Sequence, residues 1–380
     1  MSSKPSISSE SAQAASIPNV RELILLATRG LVRMFDDDKQ LFCHRLVRTE
    51  QGLVRDGFSQ RYTIMTLLGL REFERYGGTT PFDTQSLYDS FARDTSWIRG
   101  AGDLGLMVWL TATFAPDQLR GFFSGINLEA ALDRHADARQ GRTTELAWFL
   151  AGLAHAASTS PKIAAELMDL AVEAYHRMEQ NQGEYGFFGH LAETKSLSGV
   201  LRGRIGSFAD QIYPIYAMSK FAITFGIEEP LGSAVECASA ICDSQGTLGQ
   251  WWWLYDSRSG RIASRYPVYS VHQQGMAPMG LFALEEATGR SFRENIERGL
   301  RWIYGSNELD VDMRDHAQSL IWRCILPLNR RTKYLDCALS LVRPPKRDAP
   351  AGPLRVLNED RPYELGWLLY AFAKYNAGEN

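Results

Sequence analysis

Apolar segments dotted with small residues recur along the chain, each opened by a polar side chain. They begin at Arg61 in RYTIMTLLGL, Asp103 in DLGLMVWLTA, Glu145 in ELAWFLAGLA, Gln211 in QIYPIYAMS, Gln274 in QGMAPMGLFAL, Gln318 in QSLIWRCIL and Glu364 in ELGWLLYAFA. The successive intervals between those positions are 42, 42, 66, 63, 44 and 46 residues, a loose internal repeat. Between these segments lie more charged, striped ones at residues 83–92, 128–138, 161–178, 230–243, 291–304 and 332–342, and a further amphipathic helix is predicted over Val20–Met34, ended by the acidic run 36–39. A helix apolar on every side belongs inside and a striped one at the surface. The alternation therefore predicts inner helices paired with outer helices, and sustained period-two alternation, the mark of a sheet, is absent.

This pattern, from about Val20 to Tyr375, resembles the α/α-toroid superfamily, which includes six-hairpin glycosidases, uronate-acting lyases and epimerases, terpenoid cyclases and protein prenyltransferases. The resemblance implies an all-α (α/α)6-7 toroid, with six or seven hairpins and a Trp/Tyr-rich loop over its open end. No Gly/Ser/Pro-rich linker divides the repeats, so one domain is expected over 18–380 after a disordered polar tail at 1–17.

Charge and cysteine usage narrow the function classes. With 41 Lys+Arg against 44 Asp+Glu, a net charge of −3, and no basic stripe, the chain offers nothing to a nucleic acid. Its five cysteines are scattered and show no zinc spacing, so they read as reduced thiols. The N-terminus lacks a signal-type apolar core and no run approaches the roughly 20 residues of a membrane span. A cytoplasmic protein is expected, with no membrane span.

The long intervals hold the candidate chemistry. One insertion, 179–207, ends in arginines that could hold a carboxylate or phosphate, Arg202 and Arg204. The other, QWWWLYDSRSGRIASRYPVYSVHQQG, is too aromatic for an ordinary loop. Trp251, Trp252, Trp253 and Tyr255 are read as a stacking platform for sugar rings, with Arg261, Arg265, Gln273 and Tyr213 as further binding groups. Tyr266, Tyr269 and His272 are the proton-handling candidates for elimination or epimerisation of a uronate. Asp256, Asp210 and Glu364 are the carboxylates to test for glycoside hydrolysis. The competing reading makes the aromatic stretch a β-hairpin-like flap turned at D-S-R-S-G.

The acidic run Asn307–His316 contains DVDM, with Met313 where the DxDD acid of a protonating cyclase requires Asp, which counts against cyclisation. No nucleotide-loop, α/β-hydrolase or zinc-protease motif is present, and no metal or cofactor is called for. The expected function is a carbohydrate-active enzyme, a glycoside hydrolase or a uronate lyase/epimerase, acting on an acidic oligosaccharide or lipid-linked glycan precursor, with surface-polysaccharide biosynthesis as its setting. A terpenoid cyclase or prenyltransferase and a non-catalytic glycan-binding scaffold are the alternatives.

Overall fold

Six helices, apolar on nearly all sides, close a ring. A computed structural model describes residues 18–134, 142–191, 203–328 and 352–377 of the chain. The inner helices are α2 (Gln60–Arg75), α4 (Ala101–Phe114), α7 (Thr143–Ala157), α9 (Ala209–Phe225), α11 (Ala277–Thr288) and α13 (Pro362–Phe372). Each packs on the next, and α13 returns to α2. In α4 only Ala112 and Thr113 escape burial, whereas the outer helix α12 (Arg293–Ile303) buries one stripe built on Ile296, Leu300, Trp302 and Ile303. The remaining outer layer comprises α1 (Val20–Met34), α3 (Thr84–Ala92), α5 (Leu119–Ser124), α6 (Leu128–Arg134), α8 (Pro161–Glu179) and α10 (Glu229–Asp243).

The small residues of the inner segments set how closely the ring packs. A Cβ on Gly69 would lie 2.0 Å from the Gly366 carbonyl oxygen, and one on Gly152 would lie 2.2 Å from that of Gly105. The pairs α2/α13 and α4/α7 thus touch backbone to backbone, a contact only glycine permits.

The sixth apolar segment corrects the expectation. Residues 318–326 form no inner helix but the short strands β9 (Leu320–Ile321) and β10 (Cys324–Pro327). Ser319 opens the segment with a left-handed φ of 56° and Pro327 closes it, and a short run rich in bulky apolar side chains has no periodicity that separates strand from helix. The ring therefore has six hairpins. The predicted outer segment 332–342, the N-terminal tail and Arg202 lie outside the described residues.

Strands are also more numerous than the pattern predicts, and their placement is informative. The hairpin β1–β3 (Phe35–Asp36, Leu41–Thr49, Gly52–Phe58) precedes α2, and β4 (Ile205–Ser207) precedes α9. Strands β5 (Leu254–Asp256), β6 (Arg261–Ser264) and β7 (Val268–Tyr269) precede α11; β8 (Arg314–Asp315), β9, β10, β11 (Leu354–Leu357) and β12 (Glu359–Asp360) precede α13. Every described strand thus lies in a connection from an outer to an inner helix, at the end of the ring where inner helices begin. Pairings β4–β5, β7–β10 and β2–β12 stitch these connections together. The connections at the opposite end, such as 158–160, 226–228 and 289–292, are short and leave a basin of about 980 Å³ uncovered.

Aromatic side chains fill the axis between the two ends. The Trp109 ring stacks on His155 at 4.5 Å, on Tyr216 at 5.1 Å and on Trp367 at 5.7 Å. Trp367 Nε1 then donates to Tyr213 Oη at 2.8 Å. No described helix is long and apolar enough to cross a membrane.

Candidate functional site

The polar residues that open the inner helices meet on one rim, and they pair with one another. Arg61, at the start of α2, binds the Asp103 carboxylate through Nε and reaches Glu145 Oε1 through Nη2 at 3.2 Å. Its guanidinium lies over the Trp148 ring at 5.4 Å. The side chains of Asp103 and Glu145 are only 5% and 14% exposed, while that of Arg61 is 37% exposed. Two carboxylates on adjacent inner helices therefore share one cation that solvent, or a ligand, can reach.

One residue along α7, a second cluster begins. Asp210 Oδ1 accepts from the Thr144 backbone N–H at 3.2 Å and its Oγ1 at 2.6 Å; Oδ2 accepts from the Ser207 N–H and Oγ, both at 2.8 Å, and from His190 Nδ1 at 3.1 Å. The four donors from Thr144 and Ser207 fix this buried carboxyl in place, and His190 Nδ1 rests against its Oδ2, which orients the imidazole with Nε2 on the far side of the ring. The His190 side chain, 29% exposed, is the accessible tip of this pair. Neither Asp103 nor Asp210 is a helix N-cap, as capping preference would have it: both reach back to backbone N–H groups before the helix, Asp103 to that of Arg99 at 3.0 Å.

On the other side of α2 the rim carries an arginine–carboxylate lattice. Arg323 bonds Glu364 through Nη1 and Glu359 through Nε at 3.1 Å, and lies 4.9 Å over the Tyr269 ring. Arg361 also reaches Glu359 at 3.1 Å and donates to Tyr62 Oη at 2.9 Å. Tyr62 is held between His44 at 5.3 Å and Tyr363 at 4.4 Å. Burial pushes the Glu364 carboxyl up in spite of Arg323 and Arg361, and burial with the Glu364 charge pushes Asp360 well above the usual range. Oε2 of Glu364 is buried without a hydrogen-bond partner.

The Trp/Tyr segment lies at this same end, but mostly as its packing. Trp251, Trp252 and Tyr255 are at most 1% exposed. Trp252 Nε1 donates to the Ser244 carbonyl at 2.7 Å, Tyr255 Oη accepts from the Trp252 N–H, and Trp251 packs on Phe208. Their ring faces are occupied by neighbours rather than presented to a ligand, and Trp253 is half-buried. Asp256 accepts from Arg258 N at 3.1 Å and Ser259 Oγ at 2.9 Å and pairs with Arg204 at 3.5 Å, which makes it the turn residue of the β5–β6 hairpin. Arg265 packs on Trp252, Arg261 is exposed on β6, Tyr266 and Gln273 are buried, and Tyr213 sits beneath Trp148.

Burial lowers the His272 pKa to about 3 and raises that of Tyr269 to about 12. His272 begins a π-helical turn, His272–Met276, ahead of α11, and its Nδ1, Gln273 Oε1 and both amide atoms of Gln274 are buried without partners. Such turns and orphaned groups recur at functional sites.

Asp312 pairs with Arg314 at 2.8 Å, and Asp315 on β8 pairs with the exposed Arg48 of β2. With Asp310 and Asp312 both exposed, this run lacks the apolar cavity that carbocation chemistry would require. Among the described residues, the one group of three potential metal ligands, His176, Glu179 and Glu229, lies on the outer helices α8 and α10.

Several residues at this end carry no signal in the sequence. Arg323 lies inside a segment read as helix, and His190 is a single histidine in a Gly/Phe-rich stretch whose partner is Asp210. Trp148, Tyr62 and His44 are indistinguishable by pattern from core aromatics or strand residues.

No protein-family model and no curated protein matches this chain. Among solved structures it is similar to a protein from Klebsiella pneumoniae described as a possible member of the GH105 family, at 13% identity and a TM-score of 0.60 over 98% of this chain and 95% of that one. It is similar to cellobiose 2-epimerase from Bacillus thermoamylovorans at 10% identity and a TM-score of 0.61, over 94% of this chain and 99% of that one. An unsaturated glucuronyl hydrolase specific for heparin aligns at 14% identity and a TM-score of 0.55, over 94% and 96%. These likenesses establish the α/α-toroid fold.

Proposed function

We propose that this protein is a carbohydrate-active enzyme that hydrolyses an acidic oligosaccharide, with its active site at the rim where the inner helices begin. The observation that carries the reading is the Arg61 guanidinium shared by Asp103 and Glu145, next to a His190 ring oriented by Asp210. A substrate carboxylate arriving at the exposed side of Arg61 would compete for that cation and free Asp103 or Glu145 to act as the acid. His190 Nε2 would take the proton of the attacking water, its imidazolium stabilised by Asp210 as in other carboxylate-oriented histidines. Similar folds in an unsaturated glucuronyl hydrolase and a possible GH105 member support the acidic-sugar assignment. The assignment is to the oligosaccharide and not to a lipid carrier.

Epimerisation is the second reading, favoured by the similar fold of cellobiose 2-epimerase. It would use His190 as the base toward a ring carbon. Tyr269 near 12 and His272 near 3 are both far from neutrality, which favours the carboxylates and His190 for proton transfer.

The test is a panel of uronate-bearing and neutral disaccharides, with products followed by mass spectrometry and NMR. Turnover confined to the uronate-bearing members and abolished by His190→Ala and by Glu145→Gln supports the assignment. Equal turnover by wild type and His190→Ala, or preference for neutral members, overturns it.

A further inference from the structure

The bare end of the ring holds charged and aromatic groups that the chemistry above does not use. We propose that the basin of about 980 Å³ at the C-terminal ends of the inner helices is a second carbohydrate site, binding neutral, hydroxyl-rich sugar rings. This goes beyond the proposed hydrolysis and does not depend on it.

The first support is an excess of unengaged polar groups. Glu72, half-buried on α2, makes no side-chain hydrogen bond among the described residues, and Arg75 approaches it only to 3.8 Å. Lys374 likewise makes no hydrogen bond among the described residues and lies 6.0 Å from the Tyr76 ring centre. Glu286, by contrast, is paired with Lys220 at 2.7 Å. Burial raises the Glu72 pKa against the pull of Arg75, Lys220 and Lys374; in Glu286 the same burial is outweighed by Lys220. Glu72 is thus a half-buried carboxylate with no protein donor closer than Arg75, set in the same basin as an exposed ammonium that no described side chain engages.

The second support is the charge balance. Arg75, Lys220 and Lys374 face Glu72 and Glu286, while Arg71 pairs with Glu74 at 3.5 Å and Arg293 with Glu285 Oε1 at 3.2 Å, which leaves Glu285 Oε2 buried without a partner. A strongly charged ligand of either sign would meet like charges. Adjacent hydroxyls of a sugar ring suit the mixture, one donating to Glu72 while its neighbour accepts from Lys374 or Arg75.

The walls and floor complete the site. Half-buried Tyr370, Phe282 and Tyr375 offer rings to the apolar faces of a sugar. The floor is rigid: His155 Nε2 and Tyr216 Oη are 2.8 Å apart, and Tyr216 Oη and Tyr370 Oη 2.6 Å. Burial holds His155 neutral, with its pKa lowered to about 3, so the floor adds hydrogen-bonding groups without charge. The volume lies at the upper end of the roughly 300–1,000 Å³ of ligand pockets, which suits an oligosaccharide better than one ring.

The experiment is isothermal titration calorimetry on the full chain with cellotriose, maltotriose and trigalacturonate. A neutral trisaccharide should bind with a Kd on the order of 1 mM. Glu72→Gln and, separately, the exposed Lys374→Ala should each weaken it about tenfold, by roughly 1.4 kcal/mol, and His190→Ala should leave it unchanged. Absence of binding by both neutral trisaccharides, affinity retained in both basin variants, or affinity lost in His190→Ala overturns the proposal. Because turnover is read at His190 and binding at Glu72, either proposal can fail while the other stands.

Discussion

Replacing Asp210 by Asn tests whether that carboxylate is the fixed centre of the rim. The amide keeps the size and shape of the side chain but turns one acceptor into a donor. Each oxygen of Asp210 receives a backbone N–H, Thr144 N at 3.2 Å on one and Ser207 N at 2.8 Å on the other. Hydroxyls can rotate away and those N–H groups cannot. Whichever way the amide turns, its NH₂ faces a part-buried N–H.

The variant therefore loses one charge-assisted bond and strands a donor, a cost of about 3 kcal/mol. For a chain this long the unfolding entropy is about 0.8 kcal/mol/K, so the midpoint should fall by about 4 °C. Differential scanning calorimetry and urea titration measure this, with Glu166→Gln as the control. Glu166 pairs with Arg120 at 2.8 Å but both side chains are 49% exposed, so its loss should cost under about 1 kcal/mol. An Asp210→Asn protein as stable as that control would refute the reasoning.

His272 makes stability depend on pH. Its folded-state pKa of about 3 lies below the unfolded 6.5, so the stabilisation is complete above about 6.5 and is lost as pH falls toward 3, by up to about 1.4 kcal/mol per unit. His272→Phe should flatten the decline between about pH 6 and pH 4 by one proton's worth, and parallel urea-midpoint curves would count against it. Gly105→Ala should lose about 3 kcal/mol, because its Cβ would stand 2.3 Å from Phe149 Cα and 2.4 Å from the Trp148 carbonyl oxygen, atoms that no rotamer can move. Gly232→Ala, in outer helix α10 with nothing within 4 Å, should instead be neutral or stabilising by about 0.5–1 kcal/mol; equal thermal midpoints for the two variants would contradict the packing account. Arg61→Met strips the cation from Asp103, leaves Glu145 the longer Arg142 contact at 3.9 Å, and should cost about 2 kcal/mol, discounted for its exposure, along with turnover; retained turnover would remove Arg61 from the site.

The ring was legible because inner helices differ from outer ones in a way that survives in one dimension. α4 is apolar all round with glycines at contact points, and α12 is striped. The segment holding Arg323 was not legible, since Leu320–Pro327 is too short for its period to be read and its conformation is set by pairing with β11 and β7. The tryptophans misled for a related reason. Aromatic density looks the same in sequence whether rings are exposed or, like Trp252, closed against a carbonyl eight residues earlier. Asp210 could be picked as a carboxylate at a helix start, but its tie to His190, 20 residues away, exists only once β4 and α9 are in place.

The stack from Tyr213 through Trp367 and Trp109 to Tyr216 plugs the axis, so the toroid is no tunnel and its uncovered basin ends blind. No polymer strand can pass along the axis from one end of the ring to the other, so a ligand that enters at either end has to leave by the same end. Under the hydrolysis proposed above, a blind-ended shape would restrict the enzyme to the free end of a chain.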